Sequence, residues 1–235
     1  MQAIFETAFD VVYLLMVTYL GVKMILGSRK MSSDRTSKQF LLYGIMAVVL
    51  GLGDAFHLVP RMVALLTTGL ASYAVALGFG KLVTSITMIL FYVLLYYVWR
   101  RRYNVSSRRG LTIVVWVLAL SRIIITLLPQ NDWFSMTPPL DWGIYRNIPF
   151  TLLGLLVLIL CYKAAKQHKD GDFRYLWLTI VLSFGFYLPV VLLVHIWPMI
   201  GMLMIPKTCA YIWTVLIGYH AMRQELAHEQ ATVSC

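Results

Sequence analysis

The chain reads as an all-α fold of seven membrane-spanning helices. Of its 235 residues, 60% are hydrophobic and only 13% charged, the mean hydropathy is +0.76, and apolar runs of spanning length recur along the sequence. A soluble domain spends about a quarter of its residues on charged side chains to stay hydrated. That contrast excludes a cytosolic enzyme. Seven spans of about 20 residues leave only short connections, so residues 1–223 are expected to form a single transmembrane domain and 224–235 a short polar tail.

Each span must satisfy its own backbone hydrogen bonds in hydrocarbon, which is why it appears as a continuous apolar run. The first covers 9–26. The second covers 40–59 and is stopped by Pro60. The third covers 74–99, and the fourth covers 111–128 and is closed by Pro129. The fifth covers 148–162, the sixth 175–194 with a kink at Pro189, and the seventh 198–219 with a bend or break near Pro206. The connection 129–147 carries Trp133, Trp142 and two prolines, as an interfacial loop does. A cleavable signal peptide is not expected, because acidic Glu6 and Asp10 stand at the start of the first apolar run where a basic start belongs.

Orientation follows from the cations, since short loops rich in Lys and Arg stay cytoplasmic. Lys23, Arg29, Lys30, Arg35 and Lys38 flank the end of span one, and Arg100, Arg101, Arg102, Arg108 and Arg109 follow span three. Lys163, Lys166, Lys169 and Arg174 follow span five, and Arg223 follows span seven; the other side carries only Arg61 and Arg146. The amino terminus is therefore expected outside and the carboxyl terminus inside. A pI near 9.6 invites nucleic-acid binding, but cations at alternate loops are topology signals, and no nucleic acid is expected as a partner. Cys161, Cys209 and Cys235 imply no disulfide framework, and Cys235 lacks the residues a prenylation box needs after it.

A shift of 132 residues aligns Tyr43 with Tyr175, Val49 with Val181, Leu50 with Leu182 and Gly53 with Gly185. It also sets span three, with Lys81, beside span seven, with Lys207. This pairing predicts a 3+1+3 parallel repeat in which span four restores the orientation.

The chemistry lies in charges that do not belong in hydrocarbon. A charge near the bilayer centre costs roughly 2.5–3.5 kcal/mol. At about 1.5 Å per residue, Asp54, Lys81, Arg122 and Lys207 lie about 9–13 Å below the outer ends of their spans, at one level. His57, Arg61, Arg146, Asn147 and His195 come slightly higher on the same side. Asp54, His57 and Arg61 share one stripe of span two at i, i+3, i+7. Lys81, Thr84, Ser85 and Met88 share one of span three; Lys207, Tyr211 and Thr214 share one of span seven, and Ser183 and Tyr187 one of span six. Such stripes face the bundle interior or a cavity. Asp54 can neutralise only one of Lys81, Arg122 and Lys207, so an anion is expected to supply the missing charge.

GDAFHLVPR at 53–61, GKLVTSITM at 80–88, YRNIPF at 145–150 and MLMIPKTCAY at 202–211 resemble segments of an uncharacterised family of bacterial seven-span integral membrane proteins. The resemblance implies the architecture and no activity. At the level of fold, the chain is also similar to SWEET-type carriers and KDEL receptors, with their 3+1+3 bundles, and to microbial rhodopsins.

The function expected is a non-enzymatic multi-pass membrane protein, a carrier or receptor. It would bind an anionic small molecule or lipid headgroup from outside, amid membrane lipids, and need no cofactor or metal. Lys81, Arg122 and Lys207 are its expected anion ligands and Asp54 the counter-charge and proton site. Arg61 and Arg146 would form the mouth, with His57 and Tyr211 beside them. Two alternatives are an intramembrane enzyme using Asp54 and His57 and a retinal-binding photoreceptor through Lys207. For the second, span three lacks the acidic counter-ion expected of a rhodopsin, and Asp54 would have to substitute.

Overall fold

The computed structural model describes residues 2–135 and 137–233. Among them the chain forms seven long helices: α1 (Gln2–Ser28), α2 (Asp34–Leu66), α3 (Ala74–Arg102), α4 (Arg109–Leu127), α5 (Leu140–His168), α6 (Leu176–Leu193) and α7 (Met204–Val233). All seven are long and apolar enough to cross a membrane. Cys235 lies outside the described residues.

Helices α1, α2, α5 and α7 all run well beyond the apolar runs. Pro60 does not stop α2, which continues to Leu66. Proline removes one helical donor, and the carbonyl so released, that of Phe56, lies against Gly80 of α3, where the missing Cβ leaves room for it. α5 begins at Leu140, so the predicted interfacial loop is shorter and Arg146 and Asn147 are helical. α7 starts after a 3-10 segment, Pro198–Leu203, and carries on through the polar tail to Val233. Pro206 thus sits in the first turn of α7, where its missing N–H interrupts nothing; the break lies ahead of it.

The helices pack in chain order around a closed ring. α1 touches α2 and α7, α3 touches α4 and α5, α5 touches α6, α6 touches α7, and α2 also meets α7. Side-chain phase fixes the rotation of each helix. On α4, Ile113, Val117, Leu120 and Ile124 point outward while Val115, Ala119, Arg122 and Thr126 are buried, so Arg122 faces the bundle and not lipid. Close approach between α2 and α3 depends on Gly53, packed on Thr87, and on Gly80. The lower half of the interior is aromatic and apolar, with Phe40, Tyr43, Leu50, Phe91, Tyr92, Leu95 and Tyr96 buried together. Here the end where α1 begins is termed the upper end, and the end with the basic loops the lower.

Candidate functional site

α1 and α2 run antiparallel, which sets the stripe Glu6, Asp10, Tyr13 against the stripe Arg61, His57, Asp54. At the top, Arg61 Nε lies 2.5 Å from Glu6 Oε1. Lower down, the Tyr13 hydroxyl donates to Asp54 Oδ2 at 2.6 Å. Asp10 lies between these pairs, 6% exposed, with its Oδ2 buried and reached by no donor. Arg61, expected at the mouth, is thus paired with Glu6.

Lys207 stands in the first turn of α7 and is 7% exposed. Its ammonium lies over the rings of Tyr187 (5.1 Å) and Tyr211 (5.0 Å). Asp54 is within reach of its field, yet among the described residues no carboxylate forms an ion pair with Lys207 and no hydrogen bond engages it. A cation in a first turn also adds to the positive end of its own helix. Tyr211 is itself buried, near Tyr92 and Ser183.

The remaining cations differ in what they touch. Arg122 is 2% exposed. Its Nη1 donates to the Arg146 carbonyl and to Asn147 Oδ1 at 2.8 Å, and its guanidinium covers the Phe150 ring at 4.7 Å. Tyr187 donates to the same Asn147 oxygen at 2.9 Å. Arg122 therefore ties α4 to α5, while its Nε is buried and meets no acceptor among the described residues. Arg146 donates to Asn131 Oδ1 at 2.8 Å and stacks on Trp133 at 4.3 Å, holding the α4–α5 connection. Lys81 is exposed, not buried at the level of the others as its position in the span suggested. No hydrogen bond or ion pair among the described residues involves it, and the charges that reach it are those of Arg61 and Arg146.

The structure thus joins Asp54, Lys207, Tyr187, Asn147 and Arg122 into one polar layer across the bundle, with Lys81 at its edge. His57 lies beside the layer, its Nδ1 buried and unpartnered. Among the described residues no group of three His, Cys, Asp or Glu side chains is placed to hold a metal ion. Sequence reasoning missed the α1 side of the site. The i, i+4, i+7 spacing of Glu6, Asp10 and Tyr13, which sets them on one face of α1, is the signal that could have found it.

A second cluster lies at the lower end. Arg102 forms a fork to Asp170, with Nε–Oδ2 at 2.9 Å and Nη2–Oδ1 at 3.0 Å, and also reaches Asp172 at 3.2 Å. The Tyr103 hydroxyl donates to Asp170 at 3.0 Å. Burial pushes the Asp170 carboxyl up, but the Arg102 hydrogen bonds and charge, with the Phe173 amide and Tyr103, outweigh it and hold the group below the usual carboxylate range. A cleft of about 500 Å³ lies alongside, lined by Arg35, Arg102, Tyr103, Asn104, His168, Asp170, Gly171 and Asp172.

No protein-family model, curated protein or solved structure matches the chain.

Proposed function

We propose that the protein is an integral, multi-pass protein of the cell membrane that binds an anion from the extracytoplasmic side. The anion would be a carboxylate- or phosphate-class small molecule or lipid headgroup, as befits a carrier or receptor. One observation carries this reading: Lys207 holds its charge in the bundle interior against two tyrosine faces, without a hydrogen-bond acceptor among the described residues. A buried cation without acceptors is costly, and an anion would supply them. Lys207 and Lys81 are the direct ligands, and Asp54 is the resident counter-charge. Arg122, held by the Arg146 carbonyl, Asn147 and the Phe150 ring, and Arg146, held by Asn131 and Trp133, shape the wall, and the buried Nε of Arg122 still lacks an acceptor among the described residues. The basic lower loops favour an outward-facing upper end. The parallel 3+1+3 arrangement rests on the sequence pairing that sets Lys81 beside Lys207.

Two observations favour this reading over its alternatives. Asp54 is engaged by Tyr13 and not by His57, against an Asp54–His57 acid–base pair. Phe91, Tyr92 and Phe150 fill the interior that a polyene on Lys207 would need.

The test is thermal unfolding of detergent-solubilised protein with sulfate, with benzoate, and in phosphatidylglycerol against phosphatidylcholine vesicles. A ligand specific to the folded state stabilises it by about 1.4 kcal/mol per tenfold rise above its Kd. Stabilisation by at least one anion, absent in Lys81→Met/Lys207→Met, supports the proposal. Response to sulfate or benzoate points to a free anion, and response to phosphatidylglycerol alone to a headgroup. Equal stabilisation in the double variant, or none in the native protein, overturns it.

A further inference from the structure

We propose that the cleft at the lower end binds an amino-alcohol phosphate ester, its phosphate on Arg35 and its ammonium on Asp172, as a free compound or as a phospholipid headgroup. This site lies at the opposite end of the bundle from the Lys207 layer and does not depend on it.

The walls of the cleft are fixed by side chains. Arg102 grips Asp170 through two hydrogen bonds of 2.9 and 3.0 Å and lies on the Phe173 ring at 4.8 Å. Tyr103 donates to the same carboxylate and stacks against His168, with ring centres 4.9 Å apart. Arg100 fastens the chain behind Tyr103 by donating to the Val105 and Ser106 carbonyls, each at 3.0 Å. A cleft of about 500 Å³ is therefore formed before a ligand arrives, and little ordering is left for binding to oppose.

The groups left over set the ligand's chemistry. Both oxygens of Asp170 are filled, by Arg102, Tyr103 and the Asp172 and Phe173 amides. Asp172 has only Oδ2 engaged, at 3.2 Å from Arg102, and among the described residues its Oδ1 accepts no hydrogen bond. Arg35 lines the cleft and is exposed, and among the described residues it makes no hydrogen bond or ion pair. One guanidinium thus serves two carboxylates, and Arg35 brings the Arg and Asp side chains of the cleft to zero net charge. A simple anion would upset that balance, whereas a ligand with one charge of each sign keeps it. The guanidinium fork of Arg35 matches phosphate oxygens, and a primary ammonium is the compact donor that a single carboxylate oxygen takes.

The inner end of the cleft also lacks acceptors. Thr84 donates to the Gly53 carbonyl, and the same antiparallel register carried downward sets Arg35 level with Arg102 and Gln39 level with Trp99. Gln39 Nε2 and Trp99 Nε1 are both buried and meet no acceptor among the described residues. Gln39 stands one turn above Arg35 on the same face of α2, and helical side chains lean toward the start of their helix, so its amide leans toward the cleft. Phosphate oxygens would supply the acceptor it lacks. The apolar run of α3 gives way to Arg100, Arg101 and Arg102 at this level, which is headgroup depth for a spanning helix.

The test is thermal unfolding of the detergent-solubilised full chain, titrated with phosphoethanolamine, phosphocholine or inorganic phosphate, and in mixed micelles doped with phosphatidylethanolamine or phosphatidylcholine. The ethanolamine compound should bind about tenfold more tightly than phosphate or its choline counterpart, whose ammonium has no N–H, because one charge-assisted hydrogen bond separates them. Arg35→Gln should weaken binding about tenfold; the residue is exposed and partnerless, so its replacement removes no contact that holds the fold. Asp172→Asn should abolish the preference for ethanolamine over choline and leave phosphate binding in place. Response to phosphoethanolamine assigns a free ester, and response to phosphatidylethanolamine alone assigns a headgroup. The proposal is overturned if neither stabilises the native protein, if phosphate or the choline counterpart does so equally, or if the preference survives Asp172→Asn. Lys81→Met/Lys207→Met should leave every one of these responses unchanged, so failure of the upper site and failure of the lower one are read separately.

Discussion

Replacing Gly80 by alanine tests whether the α2–α3 contact positions the site. A Cβ at Gly80 would stand 2.5 Å from the His57 Cα and 2.7 Å from the Phe56 carbonyl carbon, and it would also collide with the Phe56 oxygen. All three are backbone atoms, so no side-chain rotation relieves the clash. Restoring ordinary contact demands a shift of α2 from α3 by about 1 Å, and such a gap forfeits a quarter to a half of the local dispersion energy. Overpacking that cannot relax stands at the upper end of its usual range, about 3 kcal/mol. The gain from replacing a helical glycine offsets about 1 kcal/mol, which leaves a net loss of about 2 kcal/mol. The control is Gly185→Ala in α6, where nothing lies within 4 Å of the new methyl; it should stabilise the protein by about 0.5–1 kcal/mol. Reversible unfolding of both variants in mixed micelles, followed by far-ultraviolet circular dichroism, measures the two changes. If Gly80→Ala is as stable as Gly185→Ala, the helices do not approach as described, and the placement of His57 and Lys81 across that contact is wrong.

Two further outcomes are expected. Asp170 is held below the usual carboxylate range, so its contribution is fully present above the unfolded value of about 3.9 and is lost as pH falls through the lower folded value. The stability difference between the native protein and Asp170→Asn should be constant near neutrality and shrink only in strong acid; a difference that grows as pH falls would contradict the Arg102–Asp170 pairing. In a background with Cys209 and Cys235 changed to serine, an impermeant maleimide on intact cells should label Thr68→Cys but reach Ser106→Cys only after lysis. Both positions are exposed, in the α2–α3 and α3–α4 connections respectively. The reverse pattern would invert the orientation.

The helices themselves could be read from the sequence, because an apolar run of spanning length has one way to satisfy its backbone in hydrocarbon. Their ends could not. Pro60 reads as a stop in isolation, yet the cost of its missing donor depends on what receives the Phe56 carbonyl, and that is a glycine of another helix. The polar stripes on α2 and α7 follow from a period of 3.6 residues and correctly mark Asp54 and Lys207 as inward-facing. Lys81 shows the limit of the same reasoning: the stripe it shares with Thr84 gives its direction, but it stands exposed at the edge of the layer.

By itself the sequence determined the all-α class, the number of helices long and apolar enough to cross a membrane, the loops in which cations gather and the faces that carry polar groups. These depend on local composition and on helical period, and both act within one element. Only the tertiary structure decided which charge meets which: Glu6 with Arg61, Tyr13 with Asp54, Arg122 with Asn147 and the Arg146 carbonyl, and Lys207 with two tyrosine rings. Each of these pairings joins two or more helices, and electrostatic energy in a medium of low dielectric constant depends steeply on separation. The pairings therefore follow from packing angles and helix offsets that no stretch of sequence encodes alone.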